Sequence, residues 1–310
     1  MAQQIRFHIP DFLKHFSLNM HLLQMMQRKP EAFYDNITIG SVYGVFPTAL
    51  WNGGRFLQGS CDERVMLEVL KAFNQQGVPC RYTFTNPLID ERHLHNRFCN
   101  ELLQMGNNGL NEVIVASPVL EQYIRDQYPS YPIISSTCKE LTDPQALAEE
   151  LEKDYKLVVL DYRHNNRWEL LSTITRPEKC ELLINACCDP NCKRRSAHYR
   201  TIGKSQLQYA KWAKTAKPGM KPPTLDVEKF QCPYMTLSLY DTVNFPTHIT
   251  PQALYEQYVP AGFVNFKIEG RSLPDINVLE TYIYYMVKPE WKDRIRLELL
   301  LRLTQKYKYF

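Results

Sequence analysis

Glu112-Val-Ile-Val-Ala-Ser-Pro118, Ile133-Ile-Ser-Ser-Thr137 and Lys156-Leu-Val-Val-Leu-Asp-Tyr162 are three short β-type runs separated by two helical stretches. Pro118 opens the first helix, which ends near Tyr128-Pro129. Asp143-Pro144 opens the second with a capping residue followed by proline in the first turn. Short apolar runs alternating with helices predict parallel strands joined by right-handed crossovers.

The alternation extends both ways. Upstream, strands are expected at Ile37–Phe46 and Cys80–Thr85 and helices at Asp62–Gln76 and Asp90–Met105. Val65, Met66, Val69, Leu70 and Phe73 repeat at helical spacing and would face a sheet. Downstream, strands are expected at Cys180–Ala186, Tyr234–Leu239 and Phe263–Ile268. Helices are expected over Asn165–Thr173, from Pro251, around Ile276–Val287 and from Trp291. Eight β-runs with helices between them predict an α/β fold, a (β/α)8 TIM-type barrel forming one domain over residues 1–310. An early helix, Phe12–Met26, precedes the first expected strand, so extra helices flank the barrel at both termini. Residues 188–230 interrupt the pattern as a long basic insertion after the sixth strand, and an insertion of that length is more often functional than idle.

Composition supports a folded chain: 310 residues, 44% hydrophobic and 23% charged. The N-terminus has no charged-then-apolar leader and no stretch approaches eighteen apolar residues, so the expected location is the cytoplasm, without a membrane span. Nine cysteines in that compartment would be buried thiols, reactive thiols or metal ligands. The net charge of +4 is mild, but ten Lys or Arg residues fall between Lys193 and Lys229 against Asp226 and Glu228. That asymmetry suits an anionic ligand or RNA, with Tyr199, Tyr209 and Trp212 as stacking rings. The same residues would equally make a lid, with aromatic rings on the barrel and solvated lysines.

Active sites of this fold gather beyond the carboxyl ends of the strands. The run Asn185-Ala-Cys187-Cys188-Asp-Pro-Asn-Cys192-Lys-Arg-Arg195-Ser-Ala-His198 starts at such an end, and Cys232 follows where the seventh strand is expected to start. Pro190 and Asn191 favour a turn that brings Cys188 and Cys192 together. Three thiolates suit an iron–sulfur cluster, with Cys187 or Cys61 as candidate fourth ligand. Cys188, Cys192, His198 and Cys232 would also make a Cys3His zinc site, and the third reading is free thiols in a core. Cys80, Cys99, Cys138 and Cys180 read as packing residues.

Lys267, Glu269 and Arg271 alternate along the last strand and beyond it, which places them on one face. They would meet a ligand, or Lys267 and Glu269 would pair with each other. Asp161 and Arg163 end the fifth expected strand, Thr83, Thr85 and Asn86 the second, and Asn52-Gly-Gly-Arg55 the first.

These motifs resemble a known family. Asn185 to His198 is similar to the Asn-Glu-x-Cys-x-x-x-Cys-x-x-Arg-x-x-His signature of the collagenase-like peptidase family thirty-two, of unknown catalytic type. Phe266-Lys-Ile-Glu-Gly-Arg271 is similar to that family's strand ending, and Tyr82-Thr-Phe-Thr-Asn86, Ile134-Ser-Ser-Thr137 and Trp51-Asn-Gly-Gly-Arg55 fit its single-barrel members. The resemblance implies a barrel with a 4Fe–4S cluster and oxygen-independent hydroxylation of a small molecule or an RNA base, rather than peptide hydrolysis. On it, Cys188, Cys192 and Cys232 hold the cluster; Arg55, Lys267 and Arg271 bind an anionic group; Glu269 or Asp161 handles protons; and Asn86, Asn185 and His198 contact substrate. Two departures stand out: Ala186 replaces the signature's Glu, and Gly44 to Trp51 carries no cysteine. A second hypothesis follows from them, a non-catalytic, metal-braced protein that binds a protein partner.

Overall fold

The computed structural model describes residues 3–217, 219–232 and 237–305. Eight strands hydrogen-bond in chain order into a closed barrel: β1 (Ile5–Pro10), β2 (Ile37–Gly44), β3 (Cys80–Phe84), β4 (Glu112–Val115), β5 (Ile133–Ser135), β6 (Leu157–Val159), β7 (Cys180–Leu183) and β8 (Asn265–Lys267). The pairing is parallel, with Phe7 opposite Phe266 and Tyr82 opposite Val113. The helices are α1 (Phe16–Arg28), α2 (Glu63–Gln75), α3 (Arg97–Met105), α4 (Pro118–Gln127), α5 (Pro144–Glu152), α6 (Trp168–Leu171), α7 (Arg195–Ala213), α8 (Asp226–Lys229), α9 (Leu239–Thr242), α10 (Pro251–Ala253), α11 (Asp275–Met286) and α12 (Lys292–Gln305). The chain is a (β/α)8 barrel. Among the described residues no helix is long and apolar enough to cross a membrane.

Two expectations about the order of elements are corrected. The first strand is not Ile37–Phe46 but Ile5-Arg-Phe-His-Ile-Pro10, whose strict alternation buries Phe7 and Ile9 and leaves Arg6 and His8 on the opposite face. The long insertion therefore follows the seventh strand, not the sixth. Half of the strand expected at Tyr234–Leu239, residues 234–236, lies outside the described residues, and Leu239 begins α9. The insertion is also no loop, because α7 runs through it for 19 residues. Hydrophobic periodicity does not reveal α7, since it packs through Gly203, Ser205 and Gln206 as well as Ile202 and Tyr209.

Contacts gather the chain into two compact units. The first comprises Met1–Val42, Asp161–Pro190 and Tyr234–Phe310. Within it, Phe7 and Phe266 pack with ring centroids 6.0 Å apart. The Tyr282 hydroxyl donates to Asn19 Oδ1 at 2.7 Å, tying α11 to α1.

The second unit comprises Tyr43–Leu160 and Asn191–Pro233. Tyr43, Ile114, Ile134, Leu157 and Val159 form one buried cluster on β2, β4, β5 and β6. Below it, Arg81 Nε donates to Glu112 at 2.6 Å with both side chains almost fully buried, and Lys156 binds the other carboxylate oxygen. Four helices of this unit start at side-chain caps: Asp62, Asn96, Ser117 and Asp143 each accept an N–H from the first turn. Each such cap is worth about 1 kcal/mol.

Candidate active site

The first unit carries the ends of β7 and β8. Asn185 is fully buried: its Nδ2 donates to the Glu269 carbonyl at 3.0 Å and its Oδ1 accepts the Glu269 N–H at 2.7 Å. The Glu269 carboxylate in turn accepts the Cys187 N–H at 2.9 Å. Ala186, where the resembling signature has Glu, packs with Tyr162, Leu183 and Cys188. The Tyr162 hydroxyl donates to the Asp189 carbonyl at 3.0 Å, which fixes the following turn. Asp161 caps the 3-10 turn Tyr162–His164, and the Arg163 guanidinium grips it through Nε and Nη2, both at 2.9 Å. Arg271 is buried just beyond β8.

Lys267 reaches a carboxylate on the neighbouring strand. Its Nζ lies 3.2 Å from Glu181 on β7, and His8 Nε2 lies 3.5 Å from the same carboxylate. His8 Nδ1 meets Ser41 Oγ at 2.8 Å. Gly40 makes room for this imidazole, since a Cβ there would sit 2.8 Å from His8 Cε1. Ser41, His8 and Glu181 thus form a serine–histidine–carboxylate chain that the sequence conceals, because its members come from β2, β1 and β7. All three are sealed from solvent, so the chain braces the barrel.

The second unit carries the ends of β3 to β6 and α7. Gly53 passes so close to the end of β3 that a Cβ there would lie 2.3 Å from the Thr85 carbonyl oxygen. Asn52 Nδ2 donates to the Arg55 carbonyl at 2.7 Å and to Gln206 Oε1 at 3.1 Å. Asn86 is fully buried and spends its Nδ2 on the carbonyls of Leu50, at 3.2 Å, and Gly203, at 3.1 Å. Asn86 is therefore a joint between α7 and the loop after β2. Tyr209 serves the same joint: its hydroxyl accepts the Gly59 N–H at 2.8 Å and its ring packs edge-on to Phe56. Of the insertion's aromatic residues, Tyr209 thus packs on the loop after β2.

The start of α7 concentrates positive charge. Arg195 is nearly buried; its Nη2 donates to Thr137 Oγ1 at 3.1 Å, just past β5, and to the Tyr199 hydroxyl at 3.0 Å. Burial pushes the Tyr199 phenol up to about 12, against the opposing pull of Arg195 and Arg55. His198 stacks on Phe230 with centroids 4.6 Å apart, and the Arg194 guanidinium lies 4.2 Å from the centroid of the same ring. Burial first, then Arg55 and Arg194, hold the His198 imidazole down to about 4. His198 is consequently neutral at pH 7 and able to accept a hydrogen bond.

The sequence presents Arg195 only inside the signature, Tyr199 only as a stacking ring and Cys138 only as a packing residue, whereas Cys138 lies close enough to influence Tyr199. One signal was present. Arg195 is the arginine of the signature, three residues before His198, and that spacing puts both on neighbouring positions of one helix.

The cysteines divide by exposure. Cys80, Cys99 and Cys180 are buried, and burial pushes their thiols up, to about 12 for Cys99 and Cys180. Cys61, Cys138, Cys188, Cys192 and Cys232 are partly exposed. Cys187 is buried and donates its thiol to the Asn185 carbonyl at 3.4 Å. Among the described residues no three His, Cys, Asp or Glu side chains gather to hold a metal.

A comparison with solved structures finds a likeness over 88% of this chain and 96% of the other, with a TM-score of 0.51 and 11% identity. The barrel shares the fold of the U32 peptidase Mk0906. At that identity the likeness is one of fold. No family model matches the chain, and no curated protein matches it.

Proposed function

We propose that the chain is a barrel enzyme acting on a small molecule that bears a carboxylate or phosphate, bound at the strand ends of the second unit. One observation carries this reading: the Arg195 guanidinium donates to the Tyr199 hydroxyl at 3.0 Å, and the Arg194 guanidinium and the His198 ring both lie against Phe230. Arg55 and Arg194 both act on His198, and Arg55 and Arg195 both act on Tyr199. Like charges repel at such range, and an anionic ligand reverses the sign of that interaction. The carboxyl ends of barrel strands are where this fold keeps its chemistry. In this reading Arg55, Arg194 and Arg195 hold the anion, whose charge offsets theirs and brings His198 back toward the range in which it takes or returns a proton. Peptide cleavage by a serine nucleophile is not proposed, because Ser41, His8 and Glu181 are sealed from solvent. Native mass spectrometry of the gently purified chain tests the reading. An anionic adduct that disappears in Arg195→Met supports it, and an adduct equally retained by Arg195→Met and Arg55→Met overturns it.

A second reading keeps the iron–sulfur cluster and the oxygen-independent hydroxylation that the family resemblance implies. The partial exposure of Cys188, Cys192 and Cys232 supports it, and it requires those thiols to gather on metal uptake. Anaerobically purified protein would then be brown, absorb near about 400 nm and hold about four irons per chain. Colourless, iron-free protein ends this reading.

A further inference from the structure

A groove of the second unit runs between the 3-10 turn Glu91–His93 and the C-terminal half of α7. Its volume is about 410 Å³, within the range of small-molecule sites. Five of its nine lining residues are basic, namely Arg92, His93, His95, Lys211 and Lys214, and none is acidic. Leu50 and Leu207 add an apolar floor.

The wall on the turn side is firmly built. Asp90 accepts the Arg92 N–H at 3.1 Å and binds the Arg92 guanidinium, with Nη2 at 2.6 Å from Oδ2. His93 Nδ1 lies 2.9 Å from Asp90 Oδ1 and 3.3 Å from the Asp90 backbone nitrogen, so the same carboxylate holds both basic side chains of the turn. Trp51 Nε1 donates to the His93 carbonyl at 2.9 Å, and Ser117 Oγ donates to the Ile89 carbonyl at 2.8 Å. The opposite wall presents Lys211 and Lys214, three residues apart and therefore neighbours on the surface of the chain's last α7 turn. One carboxylate, Asp90, offsets part of the charge of this wall, and the two lysines remain to raise the local concentration of anions.

We propose that this groove binds an organic phosphate with two or more negative charges. Its phosphates sit between Arg92 and the lysine pair, and its organic part lies on Leu50 and Leu207. The groove shares no residue with the arginine cluster, and Lys211 lies roughly 24 Å along α7 from Arg195 at 1.5 Å rise per residue.

Isothermal titration of the intact chain at low salt, with ADP, inorganic pyrophosphate and a single-stranded oligouridylate as probes, tests the proposal. ADP is expected to bind with one site, more tightly than pyrophosphate, and to lose affinity as salt rises. Lys211→Glu with Lys214→Glu is expected to weaken ADP at least tenfold. Both side chains are exposed, and a thermal melt of the ligand-free variant confirms that it folds. Lys217→Glu, which removes the same charge near the helix end but outside the groove, is expected to change ADP affinity less than threefold. Absence of ADP binding at millimolar concentration overturns the proposal, as does unchanged affinity in the double variant. Pyrophosphate binding as tightly as ADP removes the organic part. Oligouridylate binding tenfold tighter than ADP overturns a free organic phosphate in favour of RNA.

Discussion

Asn185 and Glu269 are joined twice, side chain to backbone: the amide of Asn185 donates to the Glu269 carbonyl at 3.0 Å and accepts the Glu269 N–H at 2.7 Å. The side chain thus continues the β7–β8 ladder one step past the end of the strands and holds the Glu269 carboxylate on the Cys187 N–H. Asn185→Ala leaves both backbone groups of Glu269 without these partners. A loss of about 1–3 kcal/mol is expected, measured by urea unfolding. Wild-type stability in Asn185→Ala would show that water replaces the amide without cost.

Gly203 fixes α7 to the barrel end of its own unit. A Cβ at Gly203 would lie 2.3 Å from Asn86 Oδ1, the amide that bridges Leu50 and Gly203. Gly203→Ala is expected to displace Asn86, loosen α7 and expose residues 191–232 to limited proteolysis. Cleavage in that segment at the wild-type rate would contradict this.

Arg81 and Glu112 test the closed interior of the second unit. Removing one member of a buried ion pair strands the other, so Arg81→Ala is expected to cost about 3–5 kcal/mol. Arg81→Met also removes the buried partner of Glu112 but should cost less than Arg81→Ala, because it keeps much of the volume and Glu112 retains Lys156 as its cation at the rim. Denaturant midpoints for the two variants provide the check, and values equal to wild type would count against a buried pair.

Burial holds both His198 and His248 down to about 4, against 6.5 for the free imidazole. As pH falls from about 6.5 to about 4, the unfolded chain takes up protons that the folded chain refuses. Both residues therefore reduce stability progressively over that window, and neither contributes above it. Glu150, held to about 2, loses its stabilising contribution only at lower pH, between 4.5 and about 2. Tm measured from pH 7.5 to 4 should fall, and His198→Gln should shallow the fall. An equal slope in His198→Gln would contradict a buried neutral imidazole.

The barrel was legible because its strands are short apolar runs, such as Leu157-Val-Val159, between capped helices starting at Pro118 and Pro144. β1 was missed although Ile5 to Ile9 alternates strictly, because its polar face, Arg6 and His8, was not recognised as an inward one. α7 was missed because its contacts run through Gly203, Ser205 and Gln206, which carry no hydrophobic period. Around the site, Asn185, Cys187 and Glu269 were legible from two motifs at neighbouring strand ends. The Arg195–Thr137 contact spans 58 positions and depends on where α7 lands, which local patterning does not encode.

The central claim is that Arg55, Arg194 and Arg195 form an anion site. The direct measurement is anion-dependent thermal stabilisation, with citrate, malonate and inorganic phosphate, of protein carrying Lys211→Glu and Lys214→Glu to silence the groove. At least one anion should raise Tm by several degrees, as expected for a ligand bound to the folded state alone. Adding Arg55→Met and Arg195→Met should abolish the rise, whatever those substitutions do to Tm without anion. An equal rise with and without the two arginines, or none with any of the three anions, would contradict the account.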